Sequence, residues 1–196
     1  MPHESYPSDC DVTRGLLAMG NRHQSALHRG RSIRLLALDV DGILTDGTLY
    51  YGPGGQEWKA FHVRDGLGIR LLLEAGLEVA LITARQSEVV ARRAADLGLT
   101  HVFQSARRKK ETCQTLADRL GLAWSQIAFM GDDWLDLALL RQVGLAATVP
   151  EAPREVKEAA HFITTTGGGR GAVREVCHLL LEAQGLVAGI LDALPR

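Results

Sequence analysis

Aromatic residues are scarce in this chain. At 5% of 196 residues they leave a core to be built mainly from Leu, Val, Ile and Ala. Cysteine is equally thin, since Cys10, Cys113 and Cys177 are widely separated and form no C-x-x-C pair. That excludes a disulfide framework and a cysteine zinc site, and it suits a reduced cytoplasm. No apolar run is long enough to span a bilayer, so no membrane partner is expected. The patch Leu16-Leu17-Ala18-Met19 is too short for a secretory segment. Neither sign of charge is in excess: a formal net charge of -1 supplies no basic field to draw in nucleic acid. What remains is an ordinary globular balance, 46% hydrophobic and 23% charged, in a length that suits one packed domain rather than two.

Residues 1–32 mix Pro, Gly, His and Arg and read as a flexible N-terminal extension. From Ile33 onward, apolar runs alternate with helical segments. Ile33 to Leu38 reads as a buried strand, and Thr48 to Tyr51 with Trp58 to Val63 as a hairpin around Gly52-Pro53-Gly54-Gly55. Asp65 reads as the cap of a helix ending at Gly76. Further strands are expected over Leu77–Ile82, His101–Gln104, Ile127–Met130, Leu145–Val149 and His161–Thr164. Helices are expected over Gln86–Leu97, Arg108–Leu120, Leu135–Gln142, Arg154–Ala160 and Gly171–Gln184. Such alternation predicts an α/β fold, a three-layer Rossmann-like parallel sheet over residues 33–186. Residues 187–196 are left as a C-terminal tail.

The polar residues with chemistry to offer follow predicted strands, where open α/β sheets bind ligands. Asp39 and Asp41 come two apart at a strand end, beside Gly42. Paired carboxylates repel, and a divalent cation holds them ionised; Mg2+ suits a few carboxylates with water and phosphate oxygens. Asp39 has the makings of a nucleophile toward phosphorus, and Asp41 of a general acid and base. Asp132 is a further metal-ligand candidate, with Asp133 and Asp136 supporting it. Thr83 offers a hydroxyl to a phosphoryl oxygen. Lys109 or Lys110 offers a cation, one of them pointing inward and the rest of Arg107-Arg108-Lys109-Lys110 facing solvent.

The ordered set Asp39-x-Asp41, Thr83, Lys109 and Asp132-Asp133 resembles the four motifs of the haloacid dehalogenase (HAD) superfamily of phosphohydrolases. The resemblance implies an HAD-like sheet carrying a small β-hairpin, with no cap domain in the gaps between motifs. Within that superfamily, four stretches resemble the phosphatases of 3-deoxy-D-manno-octulosonate (Kdo) 8-phosphate. They are Asp39 to Gly47, Lys59 to Gly66, Gly131 to Asp133 and Gly168 to Glu175. That likeness implies lipopolysaccharide synthesis as the setting and a small-molecule sugar-acid phosphate as substrate. It implies Mg2+ on Asp39, Asp132 and the Asp41 carbonyl, and Lys109 as the motif lysine. It further implies a homotetramer in which the Gly168 to Glu175 stretch reaches a neighbouring subunit's site. Arg64, Arg85 and Arg170 are candidates for the sugar acid's carboxylate or hydroxyls, because guanidinium forks fit carboxylates. A receiver domain of two-component signalling uses similar residues, but its acidic pair comes first; here Asp132-Asp133 comes late. A non-catalytic binding module is the other rival, and magnesium-dependent turnover separates the two.

Overall fold

Four consecutive apolar residues, Leu35–Leu38, form β1, and all four are buried. A strand hidden on both faces must lie inside a sheet covered by helices on each side, and this requirement organises the molecule. The computed structural model describes residues 22–193. In chain order these form α1 (residues 22–30), β1, a hairpin of β2 (Tyr50–Tyr51) and β3 (Glu57–Trp58), then α2 (Val63–Glu74), β4 (Glu78–Ile82) and α3 (Glu88–Leu97). There follow β5 (His101–Phe103), α4 (Lys109–Leu120), β6 (Ile127–Met130), α5 (Leu137–Leu140) and β7 (Leu145–Thr148). The chain continues through α6 (Arg154–Ala159), β8 (Phe162–Ile163), α7 (Ala172–Ala183) and α8 (Val187–Ala193).

Six strands make one sheet in the order β5-β4-β1-β6-β7-β8, and every pairing is parallel. The chain builds outward from β1 to β4 and β5, then returns to the other side of β1 to lay down β6, β7 and β8. β1 therefore lies where the winding reverses, and a crevice opens there beyond the carboxyl ends of the strands. Register makes this concrete: Leu38 pairs with Leu81 on one side and Met130 on the other. Asp39 consequently emerges level with Ile82 and Gly131. The predicted α/β architecture is the observed one, hairpin included.

Helix ends follow elementary rules. α3 and α4 stop at Gly98 and Gly121, whose φ angles of 75° and 67° are left-handed and favour glycine. α2 and α7 pack together, and a Cβ on Gly68 would stand 3.1 Å from the Cys177 Cβ. Glycine there costs helix propensity but permits the close approach.

Several boundaries differ from the sequence reading. Residues 22–30 are helical rather than part of a loose extension. Ala26 is fully buried, and the Arg29 guanidinium donates to the Gly144 carbonyl at 2.9 Å; the expectation for residues 1–21 lies outside the described residues. Within the expected C-terminal tail, Val187–Ala193 forms α8. The hairpin strands are two residues each, and Val63, expected at the end of the second, starts α2 instead. Helix α3 begins at Glu88 instead of Gln86 because the Ser87 amide donates to the Gln104 side chain at 2.6 Å. Asp65 caps a different helix from the one expected: it sits in the first turn of α2 but accepts from the Gly171 and Arg174 amides at 3.2 and 2.8 Å, at the start of α7. No single described helix is long and apolar enough to cross a membrane; only the bent pair α7 and α8 passes on length and composition, and most of α7 is buried.

Candidate active site

Asp39 leaves the carboxyl end of β1 with its amide donating to the Met130 carbonyl at 2.9 Å. Asp39 is 7% exposed, and Lys109 reaches its carboxylate from the start of α4 at 2.7 Å. The same ammonium lies 2.7 Å from Asp136 Oδ1. Lys109 is therefore the inward lysine, while Arg107, Arg108 and Lys110 are exposed. Burial works against its charge, yet Asp39 and Asp136 outweigh that and hold it above its ordinary value.

Asp132 enters from the loop after β6. The carboxylates of Asp39, Asp132 and Asp136 each bring an oxygen within 4.8 Å of the others. Asp136 is fully buried; besides Lys109, it accepts the Asp132 and Asp133 amides at 3.0 and 3.2 Å on its other oxygen. It builds the loop that aims Asp132. Asp133 is exposed and caps a short 3-10 turn by accepting the Trp134 amide at 2.7 Å. This turn shortens the helix expected over Leu135–Gln142 to Leu137–Leu140.

Three features fit a small divalent cation. Asp132 Oδ1 is buried without a hydrogen-bond partner, a costly condition for a carboxylate unless a cation or water meets it. Gly42, at φ 88°, leaves no space for a side chain, since a Cβ would stand 2.0 Å from Asp132 Oδ2. Finally, burial and the neighbouring acids push the carboxyl of Asp132 up to about 7. Burial raises Asp39 to about 6, with Asp136 adding to the effect and Lys109 opposing it.

A carboxyl raised from 3.8 to about 6 or 7 takes up protons on folding, so the metal-free protein loses stability as pH rises through that range. A cation requires the ionised forms, so its stabilising effect grows over the same interval. Magnesium should therefore raise the thermal midpoint far more at about pH 8 than at about pH 5. Equal shifts at both pH values would contradict the raised carboxyls.

Asp41 does not join the acidic cluster through its side chain. Its Oδ1 accepts a hydrogen bond from Lys59, and Arg85 Nε stands 3.6 Å from its Oδ2. Thr83 is buried at the end of β4, with the Arg85 amide 3.3 Å from its hydroxyl oxygen. Asp39, Asp41, Thr83, Arg85, Lys109 and Asp132 line one cleft of about 220 Å³.

A second cleft of about 410 Å³ shares Asp132 and Asp133 and is rimmed by Arg170 and Gly168. Within the chain, the Gly168 stretch packs on the loop after β1: the Gly169 amide donates to the Ile43 carbonyl at 2.9 Å. A Cβ on Gly168 would stand 1.9 Å from the Gly42 carbonyl oxygen. The Asp65 hydrogen bonds to the start of α7 hold this stretch in place. Arg64 is exposed on α2 and lines neither cleft, because the inward positions of that turn belong to Asp65 and Gly66.

Lys59, Glu57 and Ser87 were given no role from the sequence. Lys59 has a fully hidden side chain and contacts Asp41 and Glu57. The signal was the two-residue alternation through β3 and the residue after it: Glu57 and Lys59 are the more buried, Trp58 is exposed.

Residues 98–175 match the model of the haloacid dehalogenase-like hydrolase family. The chain is 46% identical over 157 residues to the 3-deoxy-D-manno-octulosonate 8-phosphate phosphatase of Escherichia coli (strain K12), spanning 80% of this chain and 84% of that protein. The crystal structure of the corresponding phosphatase from Yersinia pestis superposes with a TM-score of 0.83 at 43% identity, covering 84% of this chain and 89% of that one. The Moraxella catarrhalis phosphatase, solved with a magnesium ion, a phosphate ion and KDO, gives 0.83 at 41% identity over 90% of this chain and 99% of that one. The chain belongs to the 3-deoxy-D-manno-octulosonate 8-phosphate phosphatase family of haloacid dehalogenase-like hydrolases.

Proposed function

We propose that this protein hydrolyses Kdo 8-phosphate to the free sugar acid and phosphate in lipopolysaccharide synthesis, with Mg2+ as cofactor. The observation that carries the reading is the meeting of Asp39, Asp41, Thr83, Lys109 and Asp132 around one cleft in a chain 46% identical to a phosphatase of that name.

The residues divide the work by position. Asp39 attacks phosphorus, forming an acyl-phosphate bond as the ester P–O bond breaks, and Asp41 gives its proton to the departing alkoxide. Asp41 then takes a proton from water, whose oxygen attacks phosphorus and releases Asp39 and inorganic phosphate. Thr83 donates its hydroxyl to a phosphoryl oxygen, and Lys109 fixes Asp39 while offsetting the charge that develops on the phosphoryl group. Magnesium, when held by Asp39, Asp132 and the Asp41 carbonyl, screens the carboxylates from the substrate's anionic oxygens. Asp133 and Asp136 support the loop that carries Asp132. Arg85 and Arg170, at the two clefts, are placed to meet the sugar acid; Arg64 would meet it only across a subunit contact.

The hairpin supports a homotetramer. Tyr50, Tyr51 and Trp58 are 46%, 66% and 53% exposed on it, an apolar patch of the kind that marks interfaces. Light scattering should report four chains per particle, and a fully active monomer would remove the shared-site idea. Buried, unpaired Cys113 and Cys177 are in keeping with a cytoplasmic setting. Specificity is tested by comparing kcat/KM on Kdo 8-phosphate with nonulosonate 9-phosphates. We expect a preference of about 10-fold or more, the scale of a few added polar contacts. Equal rates across the panel would reject Kdo 8-phosphate as the dedicated substrate.

A further inference from the structure

Lys59 has a charged side chain with none of its surface exposed, although it belongs to a short hairpin whose other side is solvent-facing. A hidden ammonium is costly unless anions meet it. Two carboxylates do. Asp41 Oδ1 accepts its hydrogen bond directly, while Glu57 Oε1 stands off at 3.7 Å. Glu57 is already satisfied elsewhere: Ser87 donates to it at 2.5 Å and Arg85 at 3.1 Å. The direct bond of Lys59 is thus committed to Asp41.

The two oxygens of Asp41 are left in unlike surroundings. Oδ1 is anchored. Oδ2 faces Arg85 Nε at 3.6 Å, beyond hydrogen-bond reach, and that Nε is itself buried without a partner. Arg85 is held off by its own bonds to Glu57 and, at 3.2 Å, to the Tyr51 hydroxyl. Lys59, Glu57, Ser87 and Arg85 therefore form a frame that fixes the Asp41 carboxylate in one orientation.

We infer that Lys59 is a positioning residue for Asp41: it anchors Oδ1, so that Oδ2 is the oxygen that hands the proton to the leaving group and takes it back from water. This rests on the proposed role of Asp41 as acid and base. It adds that the hairpin, through Lys59, aims that proton. Asp39, by contrast, is aimed by Lys109 from α4, so attack on phosphorus and protonation of the leaving group are set up by different elements of the fold.

A test follows from leaving-group chemistry. An alkoxide needs a proton to depart, whereas p-nitrophenolate leaves without one. The magnesium-loaded full-length protein should be compared as parent, Lys59→Met, Lys59→Arg and Asp41→Asn. Each is assayed on the best sugar-acid phosphate of the panel and on p-nitrophenyl phosphate, with thermal midpoints recorded. Lys59→Met should lower kcat/KM, which reads only the steps up to departure of the leaving group, by about 10- to 100-fold on the sugar phosphate, the lower part of the range for general acid catalysis. On the aryl ester its loss should be about 3-fold or less. Lys59→Arg, which keeps the cation, should recover most of the difference.

Equal losses on both esters, or no loss on either, would overturn the assignment and leave Lys59 a structural ion. If Lys59→Met fails to fold, Lys59→Arg carries the test: a leaving-group dependence as large as that of Asp41→Asn would show that the charge does not position the proton. Should Asp41→Asn discriminate between the esters while neither Lys59 variant does, only this inference fails. Should Asp41→Asn lose both activities alike, the acid role of Asp41 fails, and the inference with it.

Discussion

Replacing Asp39 by Asn should reduce phosphate release by at least about 10⁴-fold, the scale seen when a catalytic nucleophile is removed. The fold should survive, because the amide keeps the shape of the side chain and removes a charge that burial already opposes. Lys109 keeps its second partner, Asp136, at 2.7 Å. The measurement is single-turnover phosphate release with the melting curve beside it. Turnover that persists in a well-folded Asp39→Asn protein would remove Asp39 from the nucleophile's role. A loss accompanied by unfolding would say only that the side chain is structural, so the melting curve decides how the rate is read.

The second large effect concerns stability. Asp136→Ala removes the carboxylate that receives Lys109 and the Asp132 and Asp133 amides. One buried and two part-buried donors lose an acceptor together, and donors left without partners away from water are expensive. Lys109 retains Asp39, and relief of repulsion among the acids offsets part of the cost. A net loss of about 3 kcal/mol is expected, near the lower end for breaking a buried ion pair. Urea unfolding in EDTA reads this without interference from bound cation. A variant as stable as the parent would mean that the loop after β6 is held by something other than Asp136.

Why some features were readable in advance and others were not is a matter of range. Strand β1 announced itself because a run of apolar residues ending in Asp39 has few alternatives, and Asp132 announced itself the same way after β6. Local chemistry also told Lys109 from its neighbours only so far; which lysine of four basic residues turns inward depends on where α4 begins against the sheet. Asp65 misled for the same reason. Its position at the start of α2 is a capping position by local rules, yet the amides it serves belong to α7, which is far away in the chain. The Glu57–Lys59 frame needed the hairpin to fold back onto the loops that follow β1 and β4, where Asp41, Arg85 and Ser87 lie. Arg64 shows the converse: a residue type suited to carboxylates, placed by its helix on the solvent side of the same turn.

The Gly168 and Gly169 backbone, pressed against Gly42, Ile43 and Thr45 with no gap for a methyl group, means that part of the pocket wall is peptide rather than side chain. Peptide cannot be exchanged by point substitution, and any added carbon there would force the two loops apart. The position open to redesign is the one with room to vary, the exposed guanidinium of Arg170 at the rim of the larger cleft. An engineer seeking a new sugar phosphate would therefore find a fixed floor under a replaceable rim.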